Sequence, residues 1–343
     1  MLEQNILRGP IDQNHKIDND DLIVDIEKQI EYLKSKNLTI KSEKNLISMI
    51  ENYGFNHLFR CYSWPFIEKD SNGSNQFKYN TSEESILTIF NFDNKLKNII
   101  ENYLDIFEHK FQSNIIATIN FIYPNVKEQF NSLWNQFEQK KYVKKVEEAL
   151  QEGSYYLMPF VTERVFPAWI ILDMLTIGEK CFLLKRLHND PSKFEKMLSH
   201  FYLDNQFTID DLNSIVFDFI RPFRNVIAHG DRLMRFKINL QSHTHKKEIF
   251  DNLMQKITGK MPELQQKQIL ESNNNEINSF ALIIMLLFLI EKSRAKTFVE
   301  SLKTMIEDDN YYFDTNEILT NKNIYNWPHE WPKIFDYIVS EKD

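Results

Sequence analysis

Three polar side chains, about two-thirds of the way along the chain, could do acid–base chemistry on a phosphate ester. Arg224, Asn225 and His229 lie in the segment DLNSIVFDFIRPFRNVIAHGDRLMRFKI, which spans residues 211–238. On a helix, Asn225 and His229 share a face because they are four residues apart, and Arg224 projects beside them. Histidine moves protons near neutral pH, and the planar guanidinium of arginine matches phosphate oxygens. Together they could activate a ribose 2′-hydroxyl and stabilise the crowded phosphorane, with no metal required.

The charge around these residues reverses the charge of the whole chain. Lys and Arg number 41 against 49 Asp and Glu, which gives a formal net charge of −8. From residue 221 to residue 237, five basic residues stand against one acid, Asp231. A local reversal of sign around a histidine and an arginine is what a phosphodiester site needs, because arginine offers a planar fork of donors to phosphate oxygens. The alternative is an ordinary solvated helix face, because an Arg-x4-His spacing also arises by chance.

Helical periodicity predicts an all-α fold that positions these residues. Apolar residues recur at intervals of three and four from residue 212 to residue 227, which is typical of an amphipathic helix. Pro222 should kink or restart that helix, because its ring removes a backbone N–H. The longest helix is predicted to begin at a capping box, Thr81 and Glu84, and to run to about Ile122.

Further helices are predicted around these two. We expect them over residues 22–38, 43–53, 126–151, 164–187 and 192–202, with Gly178 as a weak point inside the fourth. Two more are expected in residues 246–303, joined at an Asn-rich turn. Asn72 and Gly73 predict a turn in a polar loop. The prolines of residues 327–332 exclude regular helix, so we expect an aromatic strap there.

Composition excludes several classes of protein. Only 7 glycines occur, and the glycine motifs of dinucleotide-binding and P-loop folds are both missing from the sequence. Cys61 and Cys181 lie far apart, unlike a disulfide scaffold or a zinc finger, and we interpret them as buried thiols in a reducing cytoplasm. Residues 1–19 are polar and unlike a signal peptide. The most apolar run, residues 280–290, is too short to cross a membrane, so we expect a core or interface helix.

Other residues admit both a functional and a structural interpretation. His243 and His245 could pair on a metal, although an exposed polar loop is the simpler interpretation. Asp93 is interpreted as a structural partner. Five residues on other helices could contact the motif, with ordinary salt bridging as the alternative: Asp105, Glu108, His109, Asp173 and Glu179. Four aromatic residues could stack on bases or pack in the core: Tyr311, Tyr312, Trp327 and Trp331.

The letters around the motif resemble those of a known family. RNVIAH at residues 224–229, followed by DRL at residues 231–233, resembles the R-N-x-x-A-H-x-x-R-L block of the abortive-infection AbiD/AbiF family, the Abi-like proteins. Weaker likenesses in the same order extend the resemblance over roughly residues 20–240. One departure is Gly230, where the family often has a second histidine or a polar residue after the motif histidine.

The resemblance implies a bacterial phage-defence protein with a helical core of the HEPN superfamily. HEPN ribonucleases usually dimerise so that two R-x(4–6)-H motifs face one cleft, and cleavage leaves a 2′,3′-cyclic phosphate and a 5′-hydroxyl. By this resemblance His229 is the general acid/base, Arg224 holds the scissile phosphate, and Asn225 orients by hydrogen bonding. The same scheme implies that Arg221, Arg232 and Arg235 bind flanking phosphates of the RNA. No cofactor or metal is implied. The implied partners are substrate RNA, a restraining small noncoding RNA and a second copy of the chain.

We therefore expect three segments: N-terminal helices over residues 1–80, a HEPN-like core over residues 81–240 and a helical extension over residues 241–343. The leading hypothesis is a cytoplasmic, toxin-like, metal-independent RNA endonuclease. The alternative is a non-catalytic defence factor whose basic motif binds RNA or a phage protein. Catalysis requires the imidazole of His229, whereas phosphate binding should survive His229→Gln and fail with Arg224→Ala.

Overall fold

The computed structural model describes residues 25–129, 144–145, 148, 151, 166–187, 194–203, 206–273, 275–307, 315–321 and 324–342. Helices dominate these residues, and the strands form only two short antiparallel pairs among them, which confirms the all-α prediction. Among the same residues, no helix combines the length and apolar character that crossing a bilayer demands. The HEPN-like character of the core and the division into three segments stay predictions.

One long helix dominates the first part of the described chain. The elements are α1 (Ile26–Ser35), α2 (Glu43–Tyr53), a π-helical turn (Asn56–Arg60), a 3₁₀ turn (Trp64–Phe66), β1 (Ile67–Lys69), β2 (Asn75–Phe77) and α3 (Glu83–Ile122). The predicted turn between β1 and β2 is confirmed, with Gly73 at a φ of +79°. The predicted cap of α3 is wrong by one residue. Ser82 is the N-cap and pairs with Ser85, whereas the carboxylate of Glu84 pairs with the ammonium of Lys41 at 2.6 Å and does not cap the helix.

The motif belongs to a second group of helices. These are α4 (Ala168–Asp173), α5 (Ile177–Leu187), α6 (Glu195–His200), α7 (Ile209–Ser214), a π-helix (Ile215–Ile220) and α8 (Arg221–Ala228). The single helix predicted over residues 164–187 is wrong. It breaks at residues 174–176 and not at Gly178, because Thr176 and Glu179 form reciprocal capping bonds that start a new helix. Most of the helix predicted over residues 126–151 lies outside the described residues.

The remaining elements form the C-terminal part. They are β3 (Ile238–Asn239), α9 (Thr244–Thr258), α10 (Glu263–Asn273), β4 (Glu276–Ile277), α11 (Ser279–Leu289), α12 (Lys292–Ile306), α13 (Thr315–Thr320) and α14 (Trp331–Ser340). The prediction of two helices in residues 246–303 is wrong, since four occupy the described part of that range. Gly259 caps α9, and extended backbone at Ile290 separates α11 from α12. Only residues 327–330 of the predicted strap are non-helical, because Pro332 fits the first turn of α14.

Helix α3 is the axis of the core. It packs against α4, α5, α6, α8, α11 and α12. Helix α11 is buried along almost its whole length, so the apolar run of residues 280–290 is core. Trp327 and Trp331 are each 2% exposed and pack with Phe280 and Phe335, which confirms core packing and contradicts base stacking for both tryptophans. Each such buried aromatic side chain contributes about 2–3 kcal/mol. Tyr311 and Tyr312 lie outside the described residues.

Candidate functional site

Helix α8 turns one side to the core and the other to solvent. Its buried side consists of Pro222, Phe223, Val226 and Ile227. The opposite side carries partly exposed Arg221, Arg224 and Asn225, together with exposed Ala228 and His229. The three predicted catalytic residues therefore share one accessible surface. At the rise of an α-helix, Arg221 and His229 are about 12 Å apart along the axis.

The helix changes from π-helix to α-helix next to Pro222, where the sequence predicted a kink or a restart. The π-helix of residues 215–220 leads directly into α8, and the N–H of Arg221 donates to the carbonyl of Val216, five residues earlier. A π turn accommodates a proline, which offers no N–H and crowds the preceding turn of an ordinary α-helix. The apolar stripe thus continues from the π-helix into α8, and the polar side of α8 begins at Arg221.

His229 lies at the rigid C-terminal end of α8. The N–H of Gly230 donates to the carbonyl of Ile227 at 3.0 Å, and the N–H of Asp231 donates to that of Val226 at 2.9 Å. This pair of bonds is a Schellman motif, which requires a positive φ, and Gly230 has a φ of +70°. The residue that departs from the family pattern is thus the one that ends the helix. Lys97, which is buried, donates to the carbonyl of Asp231 at 3.1 Å and fixes the same turn.

Arg224 is oriented by a carboxylate from α3. Its Nε lies 3.0 Å from Oε1 of Glu108. The Arg224 side chain is 42% exposed and that of Glu108 is 18% exposed, so the pair lies at the edge of the core. Glu108 thus contacts the motif, as one of the five residues on other helices that the sequence suggested as possible contacts. Of the other four, Asp173 accepts from Gln112, Glu179 bonds to Lys145, and exposed Asp105 and His109 have no bond to the described motif residues.

A buried lysine adds positive charge next to this pair. Lys180 on α5 donates to the side-chain carbonyl of Gln112 and lies within electrostatic range of both Glu108 and Arg224. Burial lowers the pKa of Lys180, and Glu108 and Asp173 oppose that shift. Glu108 and Asp173 therefore balance the charges of Lys180 and Arg224 in this part of the surface.

Asp93 is the structural partner that the sequence predicted. It is fully buried on α3 and accepts the N–H of Leu233 at 3.1 Å and the N–H of Met234 at 2.8 Å. Its oxygens also accept the hydroxyls of Tyr62 and Tyr325. Burial and the Asp93 charge raise the pKa of Tyr62, so this phenol stays a donor. One carboxylate thus joins the N-terminal segment, α3, the loop after the motif and the C-terminal part.

The three predicted RNA-binding arginines have no carboxylate within ion-pair distance among the described residues. Arg221 stacks on Phe217 at 3.7 Å from the ring centroid and passes over Gly178, where a Cβ would lie 3.2 Å from its guanidinium. Arg232 donates to the carbonyl of Cys61 at 2.9 Å, and Arg235 stacks on Trp64. Their charges are therefore available to an anionic ligand, although RNA binding itself stays a prediction.

The remaining candidates have structural explanations. His243 and His245 are exposed, but they flank the start of α9 and do not form a loop. In the part of the chain that the structure describes, no three His, Cys, Asp or Glu side chains group as a metal site. Cys181 is buried as predicted, and burial raises its pKa to about 12. Cys61 is only half-buried, which corrects the prediction, and its pKa is raised by burial.

Comparison with known proteins gives one positive result. A family model described as Abi-like protein matches residues 48–235, which is more than half of the chain and includes α3 and the whole motif. Searches of curated proteins and of solved structures each returned no match.

Proposed function

Because the chain belongs to the Abi-like protein family, we propose that it is an abortive-infection defence protein that acts as a toxin-like RNA endonuclease. Family membership supports the defence role. The observation that carries the catalytic part is the single exposed side of α8, which presents Arg224, Asn225 and His229 together. A general acid/base, a phosphate-binding cation and a hydrogen-bonding amide are the groups that phosphodiester transfer needs.

In the proposed reaction the ribose 2′-oxygen attacks the adjacent phosphorus and the bond to the 5′-oxygen breaks. The imidazole of His229 takes the 2′-hydroxyl proton, and a second imidazole, from the partner copy of the chain, protonates the departing 5′-oxygen. The products are a 2′,3′-cyclic phosphate and a 5′-hydroxyl. Two protomers that face each other would supply both histidines, which is why we propose a homodimer through this surface. The exposed position of His229 supports access for both RNA and a partner protomer.

The bond to Glu108 gives Arg224 a defined role in this reaction. The carboxylate engages Nε, which leaves the four N–H groups of the terminal nitrogens for the phosphate. A guanidinium held in one orientation loses less entropy when it binds the charged phosphorane. Glu108 is therefore a positioning residue, and Arg224 is the group that contacts the substrate.

The competing proposal is a non-catalytic defence factor whose basic residues bind RNA or a phage protein. The absence of carboxylate partners for Arg221, Arg232 and Arg235 among the described residues favours binding in either case. In the nuclease proposal, a small noncoding RNA bound to this surface would inhibit cleavage. In the binding proposal, the same RNA would be the ligand itself. The two proposals differ at His229, because binding of phosphate needs charge and donors but no proton transfer.

The test is induction of wild type, Arg224→Ala, His229→Ala and His229→Gln, followed by growth measurement and mapping of new RNA ends. We expect arrest of growth and new 5′-hydroxyl ends with wild type, and neither effect with the Arg224 and His229 variants. His243→Ala and Arg294→Ala are matched controls, because both residues are exposed and lie outside the motif. Growth arrest by the His229 variants with intact RNA would refute the nuclease and favour the binding factor.

A further inference from the structure

An exposed tryptophan lies beneath an arginine of the loop that follows the motif. Trp64 is 37% exposed at the surface of the N-terminal segment. The guanidinium carbon of Arg235 lies 3.6 Å from the centroid of its ring, which is a close cation–π stack. Arg235 is itself exposed, and no carboxylate pairs with it among the described residues. Burial against the ring and the nearby charge of Arg232 lower the pKa of Arg235.

The backbone at Arg235 is held in an unfavourable conformation. Its φ is +65°, and the other non-glycine residues with positive φ in the described chain are four asparagines and a tyrosine. Asparagine adopts this region readily, whereas arginine has no local hydrogen bond that favours it. Such strain persists only where the surroundings impose it.

Three hydrogen bonds hold the loop around Arg235 in this conformation. Asp93 accepts the N–H groups of Leu233 and Met234, and Arg232 donates to the carbonyl of Cys61 in the N-terminal segment. The loop is therefore fixed against the turn that carries Trp64, and the Trp64–Arg235 stack is formed before any ligand arrives. Six residues separate His229 from Arg235, which places their Cα atoms at most about 21 Å apart.

We propose that Trp64 and Arg235 form a base-stacking platform for single-stranded RNA, with Arg232 binding the adjacent phosphate. The proposal rests on the proposed function and names the form of RNA that the site accepts. Indole rings and guanidinium planes are the groups on which unpaired bases stack, and stacking tolerates any base sequence. Bases in a duplex are already stacked and cannot use such a platform. An RNA strand held here would extend towards the exposed side of α8.

The test uses the full-length His229→Ala protein, which keeps the RNA intact, and a fluorescein-labelled 20-nucleotide single-stranded RNA, with anisotropy as the readout. A second substitution, Trp64→Ala, should weaken binding by roughly 5- to 150-fold, the equivalent of one stacked base. Trp64→Phe should retain most of the affinity. Trp169→Ala is the matched control, because Trp169 is 39% exposed on α4, and its loss should change affinity less than twofold.

The salt dependence separates stacking from charge. Arg232→Ala removes the proposed phosphate contact, so it should reduce the magnitude of the slope of log affinity against log salt by about 0.7, whereas Trp64→Ala should leave the slope unchanged. Arg235→Lys keeps the positive charge and loses the planar stack. It should therefore weaken binding without changing the salt slope. This variant also tests the stack if Trp64→Ala does not fold.

Two results would overturn the platform: unchanged single-strand affinity in both Trp64→Ala and Arg235→Lys, or equal losses on a duplex of the same length. Strong binding with the expected losses in the His229→Ala background, together with a wild-type protein that leaves the same RNA intact, would refute the nuclease and leave the platform standing. A parent protein that binds no RNA at all would refute both proposals.

Discussion

Asp93→Asn should be among the most destabilising single substitutions in this chain. The carboxylate receives two backbone N–H groups and two tyrosine hydroxyls, and the ammonium of Lys97 lies 3.5 Å away. Asparagine keeps one acceptor oxygen and turns an NH₂ group towards the donors on the other side. At least one backbone N–H then loses its acceptor, which costs about 1–3 kcal/mol. Lys97, whose side chain is 6% exposed, also loses its counter-charge.

Together these losses come to about 3–5 kcal/mol, the usual cost of removing one partner from a buried charged network. The assay is urea unfolding followed by circular dichroism, with amide hydrogen exchange at residues 233–234 as the local readout. Asp105→Asn is the control, since Asp105 is exposed on the same helix, and it should change the free energy of unfolding by less than about 0.5 kcal/mol. A loss below about 1 kcal/mol in Asp93→Asn, or unchanged exchange at residues 233–234, would refute this reasoning.

Three further predictions concern the site and the C-terminal part. Glu108→Gln should lower kcat of RNA cleavage about fivefold with little effect on KM, because a half-exposed ion pair is worth about 1 kcal/mol; exposed Glu101→Gln should leave kcat unchanged. Gly230→Ala should lower the free energy of unfolding by about 1 kcal/mol because of its positive φ, and Gly230→Asn by less, in thermal melts. In the native protein, burial lowers the pKa of Lys342 from the usual 10.5 to about 7. The unfolded chain therefore binds more protons between those values, so the free energy of unfolding should rise from pH 7 to pH 10. Lys342→Met should flatten that rise and stabilise the protein at pH 7, and an unchanged profile would contradict the burial of this amine.

The motif helix could be predicted because its information is local. The apolar stripe and the spacing of Asn225 and His229 decide which side of α8 is exposed, and no distant contact is needed for that. The turn at Gly73 was predictable for the same reason. The break before α5 carries a local signal too, the Thr176-x-x-Glu179 capping box, which the long apolar pattern of residues 164–187 concealed.

The partners of the motif could not be predicted, because tertiary packing selects them. Glu108 precedes Arg224 by 116 residues and was one of five equivalent candidates until α3 and α8 were seen to pack. The proposed platform could not be predicted either, because nothing in the local sequence indicates that Arg235, 171 residues after Trp64, stacks on its ring.

The bonds of Asp93 also bear on when the loop after the motif reaches its final structure during synthesis of the chain. Tyr325, which completes the donors around Asp93, is made 96 residues after His229. At about 5–20 residues per second, translation of that interval lasts roughly 5–20 seconds. During it a nascent chain already carries the whole R-x4-H motif, but the loop after the motif lacks one of its anchors. The loop after the motif thus reaches its final geometry only after Tyr325 is made, so the proposed nuclease would stay incomplete while a long stretch of its own message is still being translated.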